Sequence, residues 1–99
     1  MATLDLSTRS LPFTVAYTLT TKDIAYPVKL PENAAYIEIE FAANAGKYAW
    51  TGTDGVILPA RVTCTANVTY RIEKGAGKLT IYLQADGNGT VVHLSMMGM

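Results

Sequence analysis

The segment from Ala60 to Glu73 alternates without a break. Even positions carry Ala60, Val62, Cys64, Ala66, Val68, Tyr70 and Ile72. Odd positions carry Arg61, Thr63, Thr65, Asn67, Thr69, Arg71 and Glu73. A period of two is that of a strand, whose side chains point to opposite faces in turn, and it does not fit the 3.6-residue stripe of an amphipathic helix. These fourteen residues, at about 3.3 Å each, would span roughly 46 Å, well beyond the usual strand of about 5–6 residues. Two arrangements meet this. One long strand bends and contributes to both sheets of a sandwich, or two strands meet at a tight corner near Thr65-Asn67 that keeps the parity.

The same alternation recurs along the chain. Phe13, Val15, Tyr17 and Leu19 alternate with Thr14, Ala16, Thr18 and Thr20. Tyr26, Val28 and Leu30 alternate with Pro27 and Lys29. Ile37, Ile39 and Phe41 oppose Glu38 and Glu40, and Tyr48 shares a face with Trp50. Leu79, Ile81 and Leu83 alternate with Thr80, Tyr82 and Gln84, and Val92, Leu94 and Met96 with Val91, His93 and Ser95. Pro27 has no N–H for a ladder, so its strand should lie at an edge or carry a break. Turn residues separate the runs: Pro31-Glu32-Asn33, Asn44-Ala45-Gly46, Thr53-Asp54-Gly55, Lys74-Gly75-Ala76-Gly77 and Asp86-Gly87-Asn88-Gly89.

The pattern predicts an all-β fold: one antiparallel β-sandwich over residues 1–99, jelly-roll-like, with seven to eight short strands and residues 1–12 as an N-terminal arm. Thirteen threonines lean the same way, because a β-branched side chain favours strand over helix. Parity places Ile37, Ile39, Val62, Val68, Ile72, Leu79, Ile81, Leu83 and Leu94 in the core. It places Glu38, Glu40, Arg61, Thr63, Thr69 and Arg71 outside.

Composition excludes several function classes. Eight basic and eight acidic residues cancel, so the basic surplus of a nucleic-acid clamp or an anionic-membrane binder is missing. Charged residues are 16% and hydrophobic ones 49%, which fits a packed domain and not a disordered chain. One Cys and one His support neither an intrachain disulfide nor a multi-Cys or multi-His metal centre, so no cofactor is expected. Met1 to Thr20 lacks the basic-then-apolar order of a secretory signal. The apolar run Val56-Ile57-Leu58-Pro59-Ala60 falls far short of the roughly twenty residues of a membrane span.

The motifs that could carry chemistry each have a simpler account. Gly75-Ala76-Gly77-Lys78 resembles a fragment of a phosphate loop, but Ile72 and Leu79 stand where the full pattern needs Gly and Ser or Thr. A hairpin turn explains its glycines. Asp86-Gly87-Asn88-Gly89-Thr90 has the opening spacing of a calcium loop, yet Met97 occupies the place of the bidentate Glu. Two sequons, at Asn67 and Asn88, are near the chance expectation for this composition. His93 and Ser95 share a face without a third catalytic partner. Glu38 and Glu40 share a face as glycosidase carboxylates may, though a chain this short offers little cleft. Cys64, on the apolar parity, should behave as a small hydrophobe.

Tyrosine is abundant, with six in 99 residues. Tyr17, Tyr26, Tyr48, Trp50 and Tyr70 fall on apolar parities and read as core. Tyr36 and Tyr82 fall on polar parities and are candidates for an interface, as are His93 on the outer face of the last strand and Met97 and Met99 in the soft Met-rich end. No residue is assigned a catalytic role.

Four features give the chain a family likeness: Leu30-Pro31-Glu32-Asn33-Ala34 leading into a strand, Tyr48-Ala49-Trp50-Thr51-Gly52, Leu58-Pro59-Ala60, and a closing hairpin from Leu79 to Met97. Together, over roughly residues 26–97, they resemble the small β-sandwich virion proteins of tailed bacteriophages that decorate or cement capsids or build head and tail accessories. The resemblance implies a non-enzymatic structural protein of the virion, made in the host cytoplasm. It implies a homo-oligomer, often a trimer, seated on a major capsid or tail protein, with no nucleic-acid or membrane partner. The alternative from another class is a carbohydrate-binding β-sandwich module, which needs two or three aromatics on one solvent face.

Overall fold

In a computed structural model, which describes residues 4–58, 61–74 and 78–98, the chain forms nine strands. They are β1 (Leu4–Asp5), β2 (Phe13–Leu19), β3 (Tyr26–Lys29), β4 (Ala34–Ala42), β5 (Gly46–Ala49), β6 (Val62–Cys64), β7 (Thr69–Glu73), β8 (Thr80–Ala85) and β9 (Thr90–Gly98). Two sheets pack face to face. One has the order β1-β3-β8-β5-β6 and the other β2-β9-β4-β7. All pairings are antiparallel except the short parallel bridge of β1 to β3. The fold is therefore the expected all-β sandwich, with β1 the additional strand.

The long alternating segment resolves into two strands, one in each sheet, joined by the corner that the sequence allowed. Asn67 makes that corner. Its φ is 61°, a left-handed conformation that Asn tolerates better than most residues. Its N–H donates to the Phe41 carbonyl at 2.7 Å, and its Oδ1 accepts from the Ala43 N–H at 3.1 Å. The passage from β6 to β7 is thus clamped to the end of β4. Asn67, the first sequon residue, uses its side chain as a structural acceptor.

Between the sheets lies one apolar layer. Ile37, Ile39 and Phe41 of β4, Val92, Leu94 and Met96 of β9, and Ile81 and Leu83 of β8 are fully buried. Tyr17, Tyr48, Trp50 and Tyr70 pack on its rim, and Tyr26 is buried within it. The N-terminal segment joins the same layer: Leu6 is buried, and Leu4 and Leu11 pack against it. On β7 Ile72 is buried and Arg71 exposed, so the register is the one parity required.

Three residues expected in the core are instead exposed. Val62 is 50% exposed, Leu79 48% and Val68 44%. All three sit at a strand end or just outside one. Val62 opens the three-residue edge strand β6, Leu79 immediately precedes β8, and Val68 follows the Asn67 corner. Parity names the face a side chain points to; it does not say how far the opposite layer extends to cover it. Of the residues expected outside, Arg61, Thr63, Thr69 and Arg71 are exposed, while Glu38 and Glu40 are half-buried among their neighbours on the sheet. Pro27 also corrects an expectation. Its strand lies inside the sheet, but β1 pairs only with Val28 and Lys29, so the missing N–H falls just past the end of that short neighbour.

The loop after β5 folds back over the outer face of the five-stranded sheet. Gly55 N–H donates to Ala25 O and Ala25 N–H to Val56 O, both at 2.9 Å. Leu58 N–H donates to the Oε1 of buried Gln84 at 2.8 Å. Leu58 is fully buried against Ala25, Ala49 and Tyr82, a second small apolar cluster. Lys74 is an unforeseen buried charge. Its ammonium donates to the Glu32 carbonyl at 3.1 Å; burial pulls its pKa down, and nearby Glu32 pulls it back up.

Gly46 is fixed by packing. A Cβ there would enter the ring of Phe41, a fully buried side chain of the facing sheet. Gly46→Ala is expected to destabilise the fold by about 1–3 kcal/mol, the usual cost of overpacking. The check is the urea midpoint of Gly46→Ala against the parent chain; an unchanged midpoint would contradict the packing described.

Candidate functional site

The two outer faces differ. That of the five-stranded sheet carries the folded-back loop. That of the four-stranded sheet carries no covering segment among the described residues, and the register assembles it row by row. Met97 lies beside Tyr36 and Glu73. Thr14, Ser95, Glu38 and Arg71 form the next row. Ala16, His93, Glu40 and Thr69 form the third, and Thr18, Val91 and Ala42 the fourth. The rows follow from the sequence: the same odd–even alternation that sends Ile37, Leu94 and Ile72 inward sends these side chains out.

Charge is graded across this face. Arg71 and Glu73 lie on β7 and Glu38 and Glu40 on β4, whereas the β2 margin of Thr14, Ala16 and Thr18 is uncharged. The Arg71 guanidinium carbon stands 3.8 Å from the Tyr36 ring centroid, a cation–π contact that holds both side chains over the sheet. Ser95 Oγ and Thr14 Oγ1 share a hydrogen bond at 2.9 Å. His93 is exposed and faces Glu40 across the ladder. Three of the residues singled out as interface candidates, Tyr36, His93 and Met97, thus meet on one surface.

The other two candidates lie elsewhere. Tyr82 points outward, as parity requires, but on the opposite sheet, where it packs against the Leu58 cluster. Met99 lies outside the described residues, as do Gly75, Ala76 and Gly77 of the phosphate-loop fragment.

The remaining motifs serve the fold. The Asp86 carboxylate pairs with the Lys47 ammonium, and Asn88 Oδ1 accepts from the Lys22 N–H at 2.9 Å. Two of the calcium-type ligands are therefore engaged in holding turns. Among the described residues no three His, Cys, Asp or Glu side chains gather as a metal site. The Ser95 hydroxyl is engaged with Thr14, not with His93.

One feature of the surface escaped the sequence reading. Trp50 separates two shallow grooves, one lined by Tyr48, Arg61 and Val62 and the other by Lys78, Leu79 and Tyr82. The Trp50 ring stands edge-on to Tyr48 at an interplanar angle of 80°, and the Lys78 ammonium lies 4.9 Å from its centroid. The apolar character of Val62 and Leu79 was visible in sequence, but parity assigned it to the interior.

Compared with protein-family models, with curated proteins and with solved structures, the chain matches none.

Cys64 is buried, and burial raises its thiol pKa from 9.0 to about 11. The native thiol should resist an aromatic disulfide reagent at pH 8 and react promptly once the chain is unfolded, because the thiolate is the attacking species. The folded state holds this proton more tightly than the unfolded state. The stability contributed is therefore complete below pH 9 and is lost as pH rises from about 9 to about 11. Fast native labelling at pH 8 would contradict this environment.

Proposed function

We propose that this chain is a non-enzymatic structural protein of a tailed-phage particle, a capsid decoration, cement or head–tail accessory protein. It works as a homo-oligomer seated on a major capsid or tail protein. The observation that carries the reading is the asymmetry of the two outer faces. One is partly covered by the chain's own loop, which buries Leu58 and Gln84 but leaves Val56 and Ile57 exposed. The other presents Tyr36, His93 and Met97 together on an uncovered sheet. Aromatic and Met side chains suit the centre of a protein contact, and the Arg71, Glu38, Glu40 and Glu73 charges around them suit its polar rim.

The strand orders support the jelly-roll form of this reading. With β1 set aside, β2-β9-β4-β7 faces β3-β8-β5-β6, the arrangement of two interleaved Greek keys. Jelly rolls include both viral capsid and lectin domains, and one fold hosts many functions. The surface must therefore decide between virion protein and carbohydrate module. A sugar platform needs accessible ring faces. Trp50 and Tyr48 stand nearly perpendicular, Lys78 sits over Trp50 and Arg71 sits over Tyr36, so the geometry favours a protein partner.

Co-sedimentation with particles assembled without the chain tests the reading. The chain should pellet with them, and the paired changes Tyr36→Asp and His93→Asp should weaken binding by about tenfold or more, as loss of anchor contacts does. Retention on a sugar column that disappears with Trp50→Ala, together with no pelleting, would replace this function with the carbohydrate-binding one.

A further inference from the structure

The four sheet edges are not equivalent. An edge strand offers a row of unpaired N–H and C=O groups, and proteins blunt such edges by shortness, charge or proline. On the five-stranded sheet β1 has two residues and β6 has three. On the four-stranded sheet β7 carries Arg71 at its centre and Glu73 at its end. Were β7 to pair with its own copy about its centre, Arg71 would meet Arg71.

β2 has none of these devices. It is seven residues long, Phe13–Leu19, with no proline and no charge inside it, and no charged residue occurs between Arg9 and Lys22. It pairs with β9 alone, and its other edge has no backbone partner among the described residues. The core is also incompletely covered here. Every inward residue from Val92 to Met96 on β9 and from Ile37 to Phe41 on β4 is buried, whereas Phe13, Val15 and Tyr17 of β2 are only half-buried. At one end the Arg9 guanidinium lies over the Phe13 ring, 5.6 Å from its centroid. The central Val15 and Tyr17 are the side chains left to cover.

We propose that the free edge of β2 pairs antiparallel with β2 of a second copy of this chain, across a two-fold axis at Ala16. The two four-stranded sheets then become one sheet of eight. Ala16 faces Ala16, Thr14 faces Thr18, Val15 faces Tyr17 and Phe13 faces Leu19. Outward positions meet as small or hydroxyl-bearing pairs, and inward positions meet as aromatic and aliphatic pairs, combinations that stabilise antiparallel ladders. A two-fold contact must be complementary to itself, and an uncharged strand meets that demand without like-charge repulsion. A head-to-tail contact of β2 with β7 would set this uncharged strand against Arg71 and Glu73, with no opposite charge to receive them. The inference rests on the reading of the chain as an associating protein and names its contact.

Sedimentation equilibrium of three chains tests it, with circular dichroism confirming the fold of each. The parent should have twice the 10.6 kDa chain mass. Ala16 is exposed on the outer face, so Ala16→Lys and Ala16→Glu should fold and be monomeric, their self-association weakened by about tenfold or more through like charges at the axis. An equimolar mixture of the two variants should recover the dimer. If either variant fails to fold, Ala16→Cys should give a covalent dimer on mild oxidation, because facing residues of an antiparallel pair lie within disulfide reach. An oligomer that survives both charge changes, or the absence of the cross-link, would overturn the β2 contact and leave the proposed function standing. A parent chain that stays monomeric well above assay concentrations would overturn the contact and the homo-oligomeric part of that function. A trimer lost in both variants and not restored by mixing would replace the two-fold arrangement with a ring.

Discussion

A strand has two hydrogen-bonding edges, and a sheet that does not close always leaves two of them unpaired. This constraint organises the molecule. Two sheets give four edges, and the chain ends three of them with two residues, with three residues, or with an Arg at the strand centre. The fourth, β2, is long, uncharged and backed by a half-buried stretch of the core. Sequence, packing and the proposed association meet at that strand. Its alternation fixes which side chains face the core, and its position leaves them only partly covered.

The same logic applies to faces. A two-layer sandwich has one interior and two exteriors, and this chain treats the exteriors differently. The loop after β5 lays Leu58 on Ala25, Ala49 and Tyr82 and anchors it through Gln84, so one sheet acquires a third, partial layer. The other exterior keeps a graded surface, from Arg71 and Glu73 on β7 to Thr14 and Thr18 on β2. Contact with a larger surface would use the sheet's exposed face, whereas self-pairing would use the edge of the same sheet. The two contacts can coexist because they draw on different groups: side chains on the face and backbone at the edge.

Alternation made much of this legible in advance. Ile37, Ile39, Ile72, Ile81, Leu83 and Leu94 are buried because strand parity and core burial coincide in the middle of a sandwich. Parity misplaced Val62, Val68 and Leu79, which stand at or just outside strand ends and are exposed. No local pattern reports where the other sheet stops. Leu58 was hidden for the reverse reason. It belongs to no strand, and its burial depends on Gln84 and Tyr82, more than twenty residues away in sequence. The gathering of Tyr36, His93 and Met97 was only half visible. Parity put each on an outer face, but it took the pairing of β4 with β9 to put them on the same one. Tyr82 shares their parity and lies on the other sheet, a distinction that only the strand order supplies.

Amide hydrogen exchange of the parent chain across a dilution series reads each backbone edge separately. The β2 amides that point away from β9 should be protected at high concentration and exchange rapidly on dilution. The Leu58 and Ala25 amides, bonded within one chain, should stay protected throughout. Protection of β2 that does not change with dilution, or rapid exchange at Leu58 and Ala25, would contradict a sandwich that partly covers one face with its own loop and completes one edge with a second copy.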